Sequence, residues 1–222
     1  MPLVVRTWNL FHGNASPPER RGFLRDMVEL VTADGPDVVC LQEIPVWALS
    51  HLERWSGMRA VSAVARPPRL RSAELGRWIT ELNHGFFRSS LTGEADAILV
   101  DRRFTTSDTR RVVVGETPLR RIAHTVLLDG SLGVVNFHIG GTDPEWAKVA
   151  EVAAPYESVL VGGDANIRGA RIDGYSPPLA GSIDQILVRG RPSSAPVLWP
   201  EERRRLDGRL LSDHAPVEVE VG

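Results

Sequence analysis

The chain has 222 residues, a formal net charge of −2, 42% hydrophobic residues and one cysteine. This length can bury a core without disulfides or structural metals, and a lone cysteine excludes an internal disulfide. The charge excludes a wholly basic nucleic-acid coat protein, and no apolar run approaches the ~20 residues of a membrane helix.

A strand-like run at residues 3–5 opens the chain and leads to Trp8 and Asn9, so no signal peptide is expected. Residues 19–31 carry Phe23, Met27, Leu30 and Val31 at helical spacing. A second core strand over 37–41 leads to Gln42 and Glu43. Helices are predicted over 45–55, which carries Trp47, Leu49 and Leu52, and over 77–82. Strands follow at 97–100, 111–114, 125–128 and 133–137, the last closing on Asn136, Phe137 and His138. After a helix over 144–153 comes a strand at 158–161 that runs into Gly162-Gly163-Asp164-Ala165-Asn166. Asp184 lies in the strand at 183–188, and Ser212-Asp213-His214 precedes the last strand at 216–221. Several runs are continuous rather than alternating, the pattern of strands covered on both faces. No repeat or linker divides them. Nine or more strands with helices between them predict one domain over residues 1–222, an α+β sandwich of two packed sheets between helical layers.

The polar residues that carry chemistry stand at the ends of apolar strands, where a rigid sheet can aim them. Taken singly, each has a plain structural reading as a turn residue or a solvated strand end. Taken together they supply carboxylates (Glu43, Asp164, Asp184, Asp213), amides (Asn9, Asn166) and imidazoles (His138, His214). Oxygen ligands select a hard cation, Mg²⁺ or Mn²⁺. There is no His-Glu-x-x-His and no cysteine cluster, so a zinc site is not expected. A histidine backed by a carboxylate moves protons near neutral pH, and amide or imidazole donors stabilise a pentavalent phosphorus. The set suits in-line hydrolysis of a phosphate ester.

In order, Trp8-Asn9, Leu41-Gln42-Glu43, Asn136-Phe137-His138, Gly163-Asp164-Ala165-Asn166, Ile183-Asp184-Gln185-Ile186-Leu187-Val188 and Ser212-Asp213-His214-Ala215-Pro216-Val217 resemble the endonuclease/exonuclease/phosphatase superfamily, the deoxyribonuclease I-like group, over residues 7–221. The resemblance implies an α/β/β/α sandwich of two mostly antiparallel sheets with the site at one end. It implies that Glu43 binds the metal with Asn9 and Asp213 near it, and that Asp164 and Asn166 lie at the attacking water and the scissile phosphate. His214 would face the phosphate with Asp184 behind it fixing its tautomer, and His138 would supply a second imidazole. Family mechanisms differ over whether His214 or Asp164 activates water. Departures bear on substrate. Phe11 stands where many nuclease members carry Asp or Arg, Glu43 runs into Ile44-Pro45, and the inositol-phosphate phosphatase signatures are missing. Abasic-site repair is therefore disfavoured.

Among further candidates, His12 lies close to Asn9 and could line the site, and Arg120-Arg121 could reach the cleft. Arg203-Arg204-Arg205, flanked by Glu201, Glu202 and Asp207, reads as a solvated loop, and Trp47, Trp55, Trp78 and Trp146 read as core packing. Cys40 reads as a small buried hydrophobe. The expectation is a Mg²⁺- or Mn²⁺-dependent phosphoesterase, a phosphodiesterase before a monoesterase. Nucleic acid is favoured as its phosphoester substrate over a lipid head group or small phosphodiester. A catalytically silent binding module on the same scaffold is the rival from another class, and the completeness of the polar set counts against it. A cytoplasmic monomer with no membrane span is expected.

Overall fold

The computed structural model describes residues 2–19, 21–69, 72–82 and 91–222. Strands β1 (Leu3–Asn9), β3 (Val38–Ile44), β4 (Arg59–Arg66), β5 (Glu94–Val100), β11 (Val197–Leu198) and β14 (Val217–Val221) form a six-stranded sheet in the order β11-β14-β1-β3-β5-β4. Strands β6 (Thr106–Gly115), β7 (Arg121–Leu128), β8 (Leu132–His138), β9 (Ser158–Asp164) and β10 (Asp184–Arg189) form a five-stranded sheet in the order β10-β9-β8-β7-β6. Pairing is antiparallel except between β1 and β3 and between β8 and β9. A small third sheet, which the sequence pattern did not announce, joins β2 (Ala15–Ser16), β12 (Arg205–Leu206) and β13 (Arg209–Leu211).

Alternation along the strands sorts the core into layers. Val5, Val38, Cys40, Ile98, Val126, Val134, Leu160, Ile186 and Val219 fill the space between the two large sheets. On the outer face of the six-stranded sheet, Trp8, Val39, Leu41 and Leu99 pack against Leu24, Met27, Val28 and Val31 of α1 (Leu24–Thr32) and Leu52 of α2 (Leu52–Ser56). On the outer face of the other sheet, Val135, Phe137, Val159 and Val161 meet Val149 and Ala153 of α4 (Asp143–Ala153). α3 (Ala73–Glu81) lies in the excursion between β4 and β5.

The helix expected over 19–31 begins at Leu24, because residues 13–16 run through a turn into β2 and Phe23 N closes on Gly13 O. Residue 20 of that prediction lies outside the described residues. The single helix expected over 45–55 divides into a 3-10 turn, Val46–His51, and α2, and Trp47 packs edge-on to both His51 and Trp55 along it. α3 starts earlier than residue 77, because the Ser72 side chain accepts from Leu75 N at 3.2 Å and caps it. Trp78, expected in the core, is 56% exposed, so this reading is corrected. Its face of α3 has no described element packed over it, whereas Trp47 and Trp55 pack against the core and Trp146 lies edge-on to Phe137. Among the described residues, no helix is long and apolar enough to cross a membrane.

Candidate active site

Strand register places the catalytic candidates side by side. In the five-stranded sheet His138 is opposite Asp164, and Asp164 is opposite Asp184, so three neighbouring strands end in one polar row. Gly163 makes this possible. A Cβ there would lie 2.0 Å from Phe137 O, so only glycine lets β9 lie this close to β8 just before Asp164. In the facing sheet Asn9 is opposite Gln42, and the register slips between Leu41 and Ile44. At that bulge Glu43 takes a left-handed φ of 55°. The bulge is braced from the other sheet, where Asn136 Nδ2 donates to Leu41 O (3.0 Å) and Ala97 O (2.9 Å) while its Oδ1 accepts from Gln42 Nε2 (2.7 Å). A bulge that re-aims one side chain is a common device at a site.

His214 and Asp184 form a dyad. His214 Nδ1 lies 2.9 and 3.1 Å from the two Asp184 oxygens, so the ring donates from Nδ1 and turns Nε2 toward Asp164 Oδ2 (3.9 Å) and Asp213 Oδ1 (3.9 Å). Burial lowers the His214 pKa, but Asp184, Asp164 and Asp213 outweigh it and raise the value to about 9. Burial in turn holds the Asp184 carboxyl above its ordinary value despite His214. The loop that carries His214 is tied down from several directions. Trp8 Nε1 donates to His214 O (3.0 Å), and Ser212 Oγ donates to Asn9 O (2.7 Å). Arg204 Nη1 donates to the carbonyls of Leu211, Ser212 and His214. Arg204 is therefore a buried brace and not part of a solvated loop, a correction that the run of three arginines concealed. Its guanidinium satisfies three carbonyls of one short segment.

Asp164 is fully buried, accepts from Asn9 Nδ2 (3.0 Å) and Asn166 N (2.9 Å), and lies 3.5 Å from His138 Nε2. Asn166, at φ 49°, donates from Nδ2 to Ile139 O (2.9 Å). Beyond His138 lies a group that the sequence reading missed. Glu94, at the start of β5, lies 3.5 Å from His138 Nδ1, accepts from Arg121 Nη1 (3.0 Å) and is paired with Arg66. Burial pushes its pKa up, but His138 and the two guanidiniums hold it below the ordinary carboxylate range. Arg121 Nη1 also lies 2.8 Å from His138 Nδ1; a guanidinium only donates, so the neutral ring carries its proton on Nε2. Burial lowers the His138 pKa, yet Glu94, Glu43 and Asp164 leave it raised. Arg121 thus reaches the cleft, while Arg120 is exposed. Asp96, two residues along β5 from Glu94, is buried, and burial pushes its carboxyl up to about 7.

Glu43 completes the cleft. Its Oε1 lies 3.7 Å from His138 Nε2 and its Oε2 lies 3.5 Å from His12 Nε2. Asp213 is on the other side, 58% exposed beside His214. Asp164, Asp184 and His214 bring one atom each within 4.8 Å of one another, a spacing that can hold a cation, although Asp184 faces the His214 Nδ1 with both oxygens. A groove of about 580 Å³, lined by Arg168, Ile183, Asp184, Leu198, Asp213 and His214, opens beside the dyad.

The sequence model of the endonuclease/exonuclease/phosphatase family matches residues 7–214, and the chain belongs to that family. The search of curated proteins returned no match. Among solved structures, a functionally unknown conserved protein from Enterococcus faecalis V583 superposes with a TM-score of 0.71 at 18% identity, covering 99% of both chains. The endonuclease/exonuclease/phosphatase from Bacteroides vulgatus gives a TM-score of 0.71 at 13% identity, over 100% of this chain and 99% of the other. Truncated TDP2 from Caenorhabditis elegans gives 0.64 at 17%, over 100% and 97%. These likenesses establish the deoxyribonuclease I-like fold, and the family is in general hydrolytic toward phosphate esters.

Proposed function

We propose that the protein is a divalent-metal-dependent phosphodiesterase, nuclease-like in its chemistry, that hydrolyses its substrate by in-line attack of water. The observation that carries this reading is the convergence of Asp164, His138 and the Asp184–His214 dyad at the mouth of the sandwich, with Glu43 and Asn9 facing them from the other sheet.

The donor set fits a divalent ion. Glu43 is a half-buried carboxylate without a guanidinium or ammonium partner in any described ion pair, and it stands beside an amide and imidazoles. Glu43 would hold the ion with Asn9, and Asp213 from the far side. The ion supplies charge neutralisation at the phosphate when bound. His214, held cationic by the surrounding carboxylates, donates from Nε2 to a non-bridging phosphate oxygen. Asp164, whose orientation is fixed by Asn9 and Asn166 N, holds the attacking water and accepts its proton. His138, with Nε2–H between Glu43 and Asp164, is a second donor to the phosphate. Two imidazole donors on opposite sides of Asp164 match the charge that grows on two equatorial oxygens.

The test is turnover of bis(p-nitrophenyl) phosphate beside the monoester p-nitrophenyl phosphate, in Mg²⁺ and in Mn²⁺. Faster turnover of the diester is expected, abolished by EDTA. Asp184→Asn and His214→Ala should each lower kcat by ~10²-fold or more. The double variant should be little worse than either, as for residues that act as a unit. Full turnover in chelator, or losses that multiply, would overturn the mechanism.

A further inference from the structure

His12 is 6% exposed, and its Nε2 faces two carboxylates, Glu43 Oε2 at 3.5 Å and Glu94 Oε2 at 3.8 Å. These separations exceed an ordinary N–H···O hydrogen bond of roughly 2.7–3.2 Å. They are close to the spacing of two ligands on one ion, since bonds of ~2.1 Å at octahedral or tetrahedral angles place neighbouring donors about 3.0–3.5 Å apart. His138 Nε2 approaches the other Glu43 oxygen at 3.7 Å, so each oxygen of this carboxylate looks at an imidazole nitrogen.

The backbone goes to some cost to place His12 there. Phe11, His12 and Gly13 are left-handed in succession, at φ 45°, 54° and 79°. Such positions cost on the order of 1–3 kcal/mol for each non-glycine residue and persist where the surroundings fix them. Here Phe11 N donates to Asn9 Oδ1 (3.0 Å), and Gly13 is pressed so close to Leu24 that a Cβ would lie 2.9 Å from its backbone. The turn therefore delivers Asn9 and His12 to one place as a unit. Phe11 is 39% exposed and offers no donor atom, so the donor that this turn adds to Asn9 is an imidazole.

We propose that His12 is a nitrogen ligand of the cation pocket at Glu43, and that the pocket takes a first-row transition ion such as Mn²⁺ in preference to Mg²⁺. Mg²⁺ keeps oxygen ligands and water, whereas imidazole nitrogen adds affinity along the transition series. The inference rests on the proposal that Glu43 holds a catalytic cation, and it sharpens which cation and through which atoms.

The experiment is a Mn²⁺ titration of the whole protein followed by electron paramagnetic resonance, with Mg²⁺ as competitor. Pulsed measurement of ¹⁴N coupling to the bound ion follows. His12→Asn is the variant of choice, because asparagine tolerates a left-handed backbone while its amide is too short to reach the ion. Mn²⁺ is expected to bind at least ~10-fold more tightly than Mg²⁺. His12→Asn should lose about 10-fold or more in Mn²⁺ affinity and keep its Mg²⁺ affinity within about twofold. In His138→Gln a ¹⁴N coupling should persist, and in the double variant with His12→Asn it should be lost. Equal losses for both ions in His12→Asn, or a His138→Gln protein whose bound Mn²⁺ shows no ¹⁴N coupling, would overturn the assignment. Turnover without His12-dependent binding would sink this inference alone. A wild-type protein that binds neither ion would sink the metal-dependent mechanism with it.

Discussion

His214 shows how one contact sets a pH response. Its pKa of about 9 in the folded chain, against ~6.5 unfolded, means that the folded state binds the proton more tightly. The stabilisation is complete below pH ~6.5 and is lost as pH rises through about 9. Thermal melting between pH 6.5 and 9.5 should show the wild type losing more stability than His214→Gln, which keeps only the slope of the other raised groups, His138 and Asp96. Parallel curves would mean that Asp184 does not hold the imidazolium. At this scale most of the residues that meet at the candidate site were legible in the sequence, because Asn9, Glu43, His138, Asp164 and His214 are polar residues interrupting apolar runs. Glu94 was not, since its meaning lies in Arg66 and Arg121, which approach from other strands. Arg204 was hidden for the opposite reason: neighbours on both sides make the same residue type look like surface, and only the carbonyls of 211, 212 and 214 single it out.

Elements differ in how plainly they announce themselves. The continuous apolar runs at β3, β8, β9 and β10 were readable as doubly covered strands. β4 was not, since Arg59–Arg66 buries only small residues, Ala63 and Ala65, fully. The contact of β8 with β9 offers a sharp test of backbone packing. At Gly162 a Cβ would meet Cys40 Sγ at 3.3 Å, which a small shift relieves, whereas at Gly163 it would meet a carbonyl oxygen at 2.0 Å. Gly163→Ala should therefore cost about 3 kcal/mol or more, with Gly162→Ala well below it, read from urea midpoints. Similar losses at the two positions would mean that β9 can slide away from β8 without penalty, and that the spacing of His138 and Asp164 is not fixed by this glycine.

On the scale of the whole molecule, the six-stranded sheet closes on a pairing of sequence extremes. Leu3 to Thr7 are opposite Val221 to Val217, and Trp8 reaches the backbone of His214. Contacts this remote in sequence are slow to form. During synthesis on the ribosome, β1 emerges first and must wait, one edge open, while the rest of the chain is made. An unpaired edge is a template for intermolecular pairing, so the nascent protein needs protection over that interval. A fragment ending at residue 211 should accordingly aggregate and lack hydrolytic activity; a soluble, monomeric fragment with a native circular-dichroism spectrum would contradict this. The same arrangement delays completion of the candidate site, because the imidazole of the dyad arrives only with the segment that seals the sheet.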